Sequence, residues 1–489
     1  MVRNTEDTPP GPNSAPPAAG RTTGRPAGGI ASSGLLVAVG MGIGNVLAYG
    51  FNVVLAKGLG QTRFAELGTL LSVFLVGSVP GLAVQAVNAR RVALAVDGPP
   101  EAMTDLCRRL RRLGLVVGAG VAVTFVALAP VISALLPALS TAGIAWTGVS
   151  LAGNTVFAAY LGLAQGTSRF ITMTALYLAA NAARLLIGIA AAYAAASPAA
   201  VMALQSLAWV LAAAAGQFLL RDLTDRPAAP KPFSAANAGI PAPRLEVTGL
   251  GRKPSHGYVP EVLRAGVGLG GILLLTVLDA LFAGRYLTGA SLGRYNAGAL
   301  IARAAFFGPQ FITVLAYPRL ARPDERRRAL SVALSLTIAI GAFCVGAAAL
   351  IGNTLVKAAF GRDYATASGT VTGTGIDLGT HAWLFASVGA LLAVVQLALL
   401  DGVARRSHLV SGVVLTGIAA ESVTIGWFAH SSPAAIVTAA ASCAAGMALV
   451  SVTLCLTARV VPAGAGDSVL AGHGGPGGRS VGALPRTSS

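Results

Sequence analysis

Apolar runs long enough to cross a bilayer recur twelve times along the 489-residue chain. They lie near 33–55, 66–88, 113–136, 141–165, 170–195, 198–220, 260–284, 291–316, 329–352, 372–400, 408–430 and 433–458. A hydrocarbon core about 30 Å thick needs roughly 20 such residues in a helix. The gaps between the runs alternate in charge. With the N-terminus placed in the cytoplasm, one side receives Arg3, Arg21 and Arg25, then Arg90, Arg91 and the run Arg108–Arg112, then Arg169. It also receives the basic residues from Arg221 to Arg264, Arg319 to Arg328, Arg405, Arg406, Arg459, Arg479 and Arg486. The other side keeps only Lys57, Arg63, Arg285, Arg294, Lys357 and Arg362. The division is 27 against 6, with Arg184 and Arg303 left inside spans. Cationic loops resist translocation, so the pattern predicts an all-α, multi-pass membrane protein with both termini cytoplasmic.

Composition agrees. Only 11% of residues are charged and 54% are hydrophobic, and the mean hydropathy is +0.71. A soluble chain carries about 25% charged residues. The net charge of +17 lies on one face of the membrane, where it serves topology and contact with anionic lipid, so it does not indicate nucleic acid. Cys107, Cys344, Cys443 and Cys455 show no paired spacing, which predicts free thiols and no metal site. The Ala-, Gly- and Arg-rich composition points to a GC-rich bacterium, and hence to a bacterial cytoplasmic membrane.

Between the spans the chain divides into five parts. Residues 1–32 and 461–489 read as disordered cytoplasmic tails. Residues 221–259, with six prolines, read as a cytoplasmic linker. It separates an N-terminal six-helix bundle, 33–220, from a C-terminal one, 260–460. The halves show a weak repeat: Pro80 precedes Arg90 by ten residues, as Pro309 precedes Arg319. An even number of spans per half gives both halves one orientation, with a site at their interface. Pro80, Pro130 and Pro309 are candidate kinks. The glycines at 40, 42 and 44, and at 266, 268, 270 and 271, mark close helix packing or a bending point.

Four phrases carry a family resemblance. Leu55-Ala56-Lys57-Gly58-Leu59-Gly60 with Phe64 and Gly68, and Gly293-Arg294-Tyr295-Asn296-Ala297, sit in matching loops of the two halves. Tyr317-Pro318-Arg319-Leu320-Ala321 ends the eighth span, and Phe360-Gly361-Arg362-Asp363-Tyr364 follows the ninth. In this order the chain resembles the Wzx-like polysaccharide flippases of the multidrug/oligosaccharidyl-lipid/polysaccharide (MOP) superfamily. The resemblance implies two six-helix bundles in a V around a central cavity. It also implies export of a glycan on a polyprenyl diphosphate carrier, in company with glycosyltransferases or a polymerase of the same pathway. Twelve spans fit this branch better than lipid II flippases, which generally have fourteen.

The polar residues within spans are the candidate chemistry, because a mid-membrane charge normally faces a partner or a watery cavity. No Walker A loop or other catalytic constellation stands out, so neither an enzyme nor a cofactor is expected. Arg184 and Arg303 suit a substrate diphosphate, since guanidinium forks pair bidentately with phosphate. The resemblance adds weight to Arg303, because arginines on this helix recur in the cavities of related lipid II flippases. Asp279 and Glu421 suit proton or cation coupling. Structural ion pairs explain the same four residues, although a depth mismatch of roughly 12 Å, at about 1.5 Å of rise per residue, separates Asp279 from Arg303. Asn45, Tyr49 and Asn52 share a face of the first span, as Tyr177, Asn181 and Arg184 share one of the fifth. These stripes read either as a lining for sugar or as interhelical hydrogen bonds. A drug or metabolite exporter of the same superfamily and a non-transporting scaffold for envelope assembly are the rival functions.

Overall fold

A computed structural model describes residues 28–224, 257–310, 312, 323–366, 377–404 and 409–457. Every regular element among them is helical: α1 (Gly28–Gly77), α2 (Val79–Ala95), α3 (Pro100–Leu135), α4 (Thr141–Gly166), α5 (Phe170–Tyr193) and α6 (Pro198–Leu219), then the single turn α7 (Arg221–Thr224). The second series is α8 (Tyr258–Leu275), α9 (Leu278–Tyr286), α10 (Gly289–Phe307), α11 (Pro323–Ala359), the turn α12 (Arg362–Ala365), α13 (Leu378–Ala404), α14 (Leu409–Val423) and α15 (Pro433–Thr457). A π-helical turn, Thr424–Phe428, extends α14. Residues 1–27 of the first predicted tail, the second tail, most of the predicted linker, and the phrase Tyr317–Ala321 lie outside the described residues, whereas residues 28–32, read as tail, form the start of α1.

Ten stretches are long and apolar enough to cross a membrane, and the first, Val39–Ala95, runs for 57 residues. At about 1.5 Å per residue that is roughly 85 Å of helix, enough for two crossings. The reversal falls at Gly60, whose φ of 73° and ψ of 172° lie in a region essentially confined to glycine. The sequence predicts a loop between spans one and two. The structure instead continues helix to Gly60 and resumes it at once, because one glycine suffices to turn the chain. The second crossing breaks again at Ser78, and Pro80 lies in the first turn of α2, where its missing N–H costs nothing. Pro130 remains inside α3, while Pro309 follows the end of α10.

Close approaches at glycine fix how the crossings lie. Cβ atoms added at Gly40, Gly44 and Gly58 would meet Thr174, Tyr177 and Ala192, so the first leg of α1 runs parallel to α5. Gly153 faces Trp209 and Gly216 faces Tyr160, which makes α4 and α6 parallel. Gly114 faces Ala159 and Gly118 faces Ala152, which makes α3 antiparallel to α4. The second series repeats the scheme: Gly298 and Gly389 lock α10 parallel to α13, while Gly341 and Gly352 set α11 antiparallel to it. These small residues act as close-packing points between helices, where bulk hydrophobicity gives no drive in lipid. The outer faces of α3 and α11 stay apolar and exposed, at Val116, Val123, Phe343 and Leu350, as lipid-facing surface. The basic run 108–112 lies within α3 itself, about two turns after its start at Pro100. The two series meet along one seam: the second leg of α1 lies along α10, and α2 lies along α8.

Packing at Gly389 gives a sharp test. A Cβ there would lie 1.8 Å from the Ala302 carbonyl oxygen, whereas Gly346 has open space around it. Gly389→Ala is expected to destabilise the chain by about 1–3 kcal/mol through overpacking. Gly346→Ala should stay within about 0.5 kcal/mol. Denaturant unfolding in detergent distinguishes them, and equal stabilities would contradict the seating of α13 on α10.

Candidate functional site

The seam buries polar groups that satisfy one another only across it. Asn296 on α10 donates its side-chain N–H to the Ala65 carbonyl at 2.8 Å and to Thr69 Oγ1 at 3.1 Å, both on the second leg of α1. Two turns further along α10, Arg303 Nη2 donates to Ser72 Oγ at 2.6 Å, and Ser72 passes its own proton to the Gly68 carbonyl at 2.9 Å. Arg303 is only 7% exposed, and its Nε has no partner among the described residues. Tyr49, from the first leg of α1, reaches the Leu300 carbonyl across the same seam at 3.5 Å. Arg303 thus rests on one neutral hydroxyl oxygen and retains an unused donor at Nε. A guanidinium in that state suits a phosphate.

The two interior acids sit beside irregular backbone. The seventh span, predicted as one helix, is broken between Leu275 and Leu278, and Asp279 stands in the first turn after the break. Glu421 stands just before the π-helical turn. Irregular turns of this kind recur at functional sites in membrane helices. Tyr295 Oη donates to Asp279 Oδ2 at 2.8 Å. Both carboxyl groups are 3% exposed, and Glu421 lies within electrostatic reach of Asp279 and Tyr295. Asp279 also lies within reach of Arg303, yet their direct bonds go to different partners, Tyr295 and Ser72. This agrees with the depth mismatch read from the sequence.

Arg184 is placed differently. Its guanidinium lies between two aromatic rings, 4.8 Å from the centroid of Phe51 and 5.1 Å from that of Trp209. Its Nη1 reaches Asn181 Oδ1 at 3.4 Å. Its contacts come from α1, α5 and α6, and its Nε, like that of Arg303, is buried with no partner among the described residues. The first-helix stripe also divides. Asn45 accepts from the Tyr177 hydroxyl at 2.9 Å, Asn52 donates to its own helix at Ala48 at 2.8 Å, and of the three only Tyr49 reaches α10. Asn181 likewise donates to its own helix, at the Tyr177 carbonyl, 2.9 Å away.

Sequence reasoning missed the partners. Ser72 carries no signal of its own in the sequence, and Tyr295 and Asn296 read only as parts of a loop phrase. At the basic end of the seam, Glu261 on α8 takes Arg91 at 2.6 Å and Arg90 at 3.3 Å from α2, and Tyr258 donates to Asn88 at 3.1 Å. Glu261 opens the second series just after the linker, and nothing in the sequence ties it to Arg90 and Arg91.

These features define a multi-pass helical membrane protein whose two helical series meet at a polar seam. Solved structures of the MOP superfamily share that architecture. A multidrug resistance MATE family transporter in its inward-facing conformation superposes with a TM-score of 0.62 at 11% identity, covering 86% of this chain and 97% of that one. An outward-facing MATE transporter gives 0.54 at 11% identity, covering 87% of this chain and 94% of that one. A MOP superfamily transporter from Pyrococcus furiosus, described as having a binding pocket of reverse polarity, gives 0.53 at 11% identity over 86% and 93% of the two chains. The chain therefore has the MATE-type fold with its two lobes. No family model matches the chain, and no curated protein sequence does.

The Tyr295–Asp279 bond makes a measurable prediction. A double-mutant cycle of Tyr295→Phe and Asp279→Asn should give a coupling of about 1–2 kcal/mol, above the roughly 0.6 kcal/mol typical of interhelical bonds in membranes. Unfolding in detergent reads it out; a coupling near zero would contradict the bond.

Proposed function

We propose that the chain is a secondary transporter that flips a lipid-linked oligosaccharide, or another polyprenyl-linked envelope precursor, from the inner to the outer leaflet by alternating access. The observation that carries this reading is Arg303: a buried cation at the seam, bonded to one hydroxyl and holding an unused donor. The four sequence phrases support the substrate class. In this scheme the diphosphate meets Arg303 from the cytoplasmic side, and the glycan follows the polar groups at Tyr49, Asn45, Asn52 and Asn181. The lipid tail stays in the bilayer. Arg184 lies behind Phe51 and Trp209, and contributes to the diphosphate site only when those rings shift. Asp279 and Glu421 load and release a proton or cation, which ties the rocking of the lobes to an ion gradient. The setting is a bacterial cytoplasmic membrane with both termini inside, beside the glycosyltransferases or polymerase that make and use the substrate.

A drug or metabolite exporter is the second reading. It is favoured by the buried pair Asp279 and Glu421 next to Tyr295, which suits an organic cation. The two readings part in cells. On depletion of the protein, mass spectrometry of polyprenyl lipids is expected to show one glycosylated polyprenyl diphosphate accumulating while a surface polymer is lost. An unchanged lipid profile would favour the exporter or a scaffold. Arg303→Gln should insert normally and fail to restore the polymer. Arg184→Gln should act chiefly by lowering thermal stability. Full complementation by Arg303→Gln would overturn the role given to Arg303 and point to a scaffold.

A further inference from the structure

Three of the four sequence phrases converge on one cleft at the end of the seam remote from Arg90 and Arg91. The cleft has a volume of about 390 Å³ and is lined by Lys57, Gln61, Arg294, Phe360, Asp363 and Tyr364, with Gly60 and Gly361 at its edge. Such a volume lies within the roughly 300–1,000 Å³ of small-molecule sites. Two of these residues come from the first half of the chain and four from the second. Their bonds join the halves: Gln61 donates its amide to the Asp363 carbonyl, and Tyr364 Oη donates to the Ala56 carbonyl at 2.8 Å.

The charges in the cleft are poorly used. Lys57, Arg294 and the Asp363 carboxylate form no ion pair with any described residue. Arg294 makes only a long contact, Nη1 to Gln61 Oε1 at 3.5 Å, and its Nε is buried without a partner. Two cations facing one cleft, with unused N–H groups between them, fit an oxyanion. The Asp363 carboxylate and the Gln61 amide offer acceptors and donors for hydroxyl groups. Phe360 and Tyr364, whose ring centroids lie 5.8 Å apart, supply an apolar wall of the kind a sugar ring packs against.

We propose that this cleft binds an acidic sugar, its carboxylate or phosphate held by Lys57 and Arg294 and its hydroxyls by Asp363 and Gln61. The ligand class deepens the flippase reading by assigning an anionic residue to the exported glycan, and places a contact for it on the outer face. Because Gln61 both holds Arg294 and ties the halves together, an oxyanion that draws Arg294 away loosens the outer end of the seam. The site thereby favours release to the outside.

The test uses the purified full chain in phosphatidylcholine nanodiscs and calorimetric titration with glucuronate, glucose and inorganic phosphate. Glucuronate is expected to bind at least about tenfold more tightly than either of the others, the difference that one charged contact plus hydroxyl contacts supplies. Lys57→Gln and Arg294→Gln should each weaken glucuronate by about tenfold, and Lys57→Arg should restore most of it, with melting temperatures unchanged. Asp363→Asn, which keeps both cations, should narrow the preference over phosphate. Equal binding of glucuronate and glucose would overturn the anion site, and phosphate binding as tightly as glucuronate would overturn the sugar. Competition by added phosphatidylglycerol would assign the cleft to lipid headgroups instead. Binding of free glucuronate by the purified chain does not depend on transport, so failure here leaves the polyprenyl-lipid measurement to judge the flippase reading separately.

Discussion

A buried polar group in a membrane protein has to find its partner inside the protein, because the hydrocarbon offers none. Here that constraint acts at the seam between the two helical series. Asn296 and Arg303 on α10 take their partners from the second leg of α1, across the seam. Parting the halves removes those partners, and the exposed groups then need water or a ligand. A seam sealed by apolar residues alone would be tighter but would have nothing to offer a charged head group. On the proposed reading, parting the seam would exchange one set of hydrogen bonds for another, which is the energetic condition for a site that opens and closes.

The ends of the seam are held by different chemistry. At the basic end, Glu261 joins Arg90 and Arg91 at 3.3 and 2.6 Å, and the Arg91 guanidinium lies 5.3 Å from the centroid of the Tyr258 ring. At the other end the ties are backbone carbonyls met by Gln61 and Tyr364, around a cleft with spare charge. Between them, Asp279 and Glu421 stand next to a broken helix and a π-helical turn. These are the points where α9 and α14 can yield without unravelling, because their backbone pattern is already interrupted.

The architecture was largely legible in the sequence. Apolar length marked where the crossings fall, since it follows from the thickness of the bilayer and not from packing detail; ten stretches qualify, the first long enough for two crossings, where the sequence suggests twelve. The interior charges were legible for the same reason: Asp279, Arg303 and Glu421 stand out against apolar neighbours. Their partners were not. Ser72, Tyr295 and Asn296 are ordinary residues whose importance comes from facing a charge across the seam, and hydropathy carries no such information. The turn at Gly60 was hidden because a glycine permits a reversal without demanding one. Arg184 shows the converse limit. Its place in the sequence marks it as a candidate cavity residue, and nothing there indicates that its guanidinium lies beside the rings of Phe51 and Trp209.

The central claim is that the seam parts at one end as it closes at the other. Spin labels in a cysteine-free background test it directly, one pair at Thr62 and Arg362 and another at Leu94 and Val259, all exposed positions. Pulsed dipolar spectroscopy in nanodiscs should give two distance populations for each pair. A shift of conditions that lengthens the first pair should shorten the second. A single narrow distance for both pairs under all conditions, including acidification and added substrate extract, would contradict alternating access and leave a static scaffold.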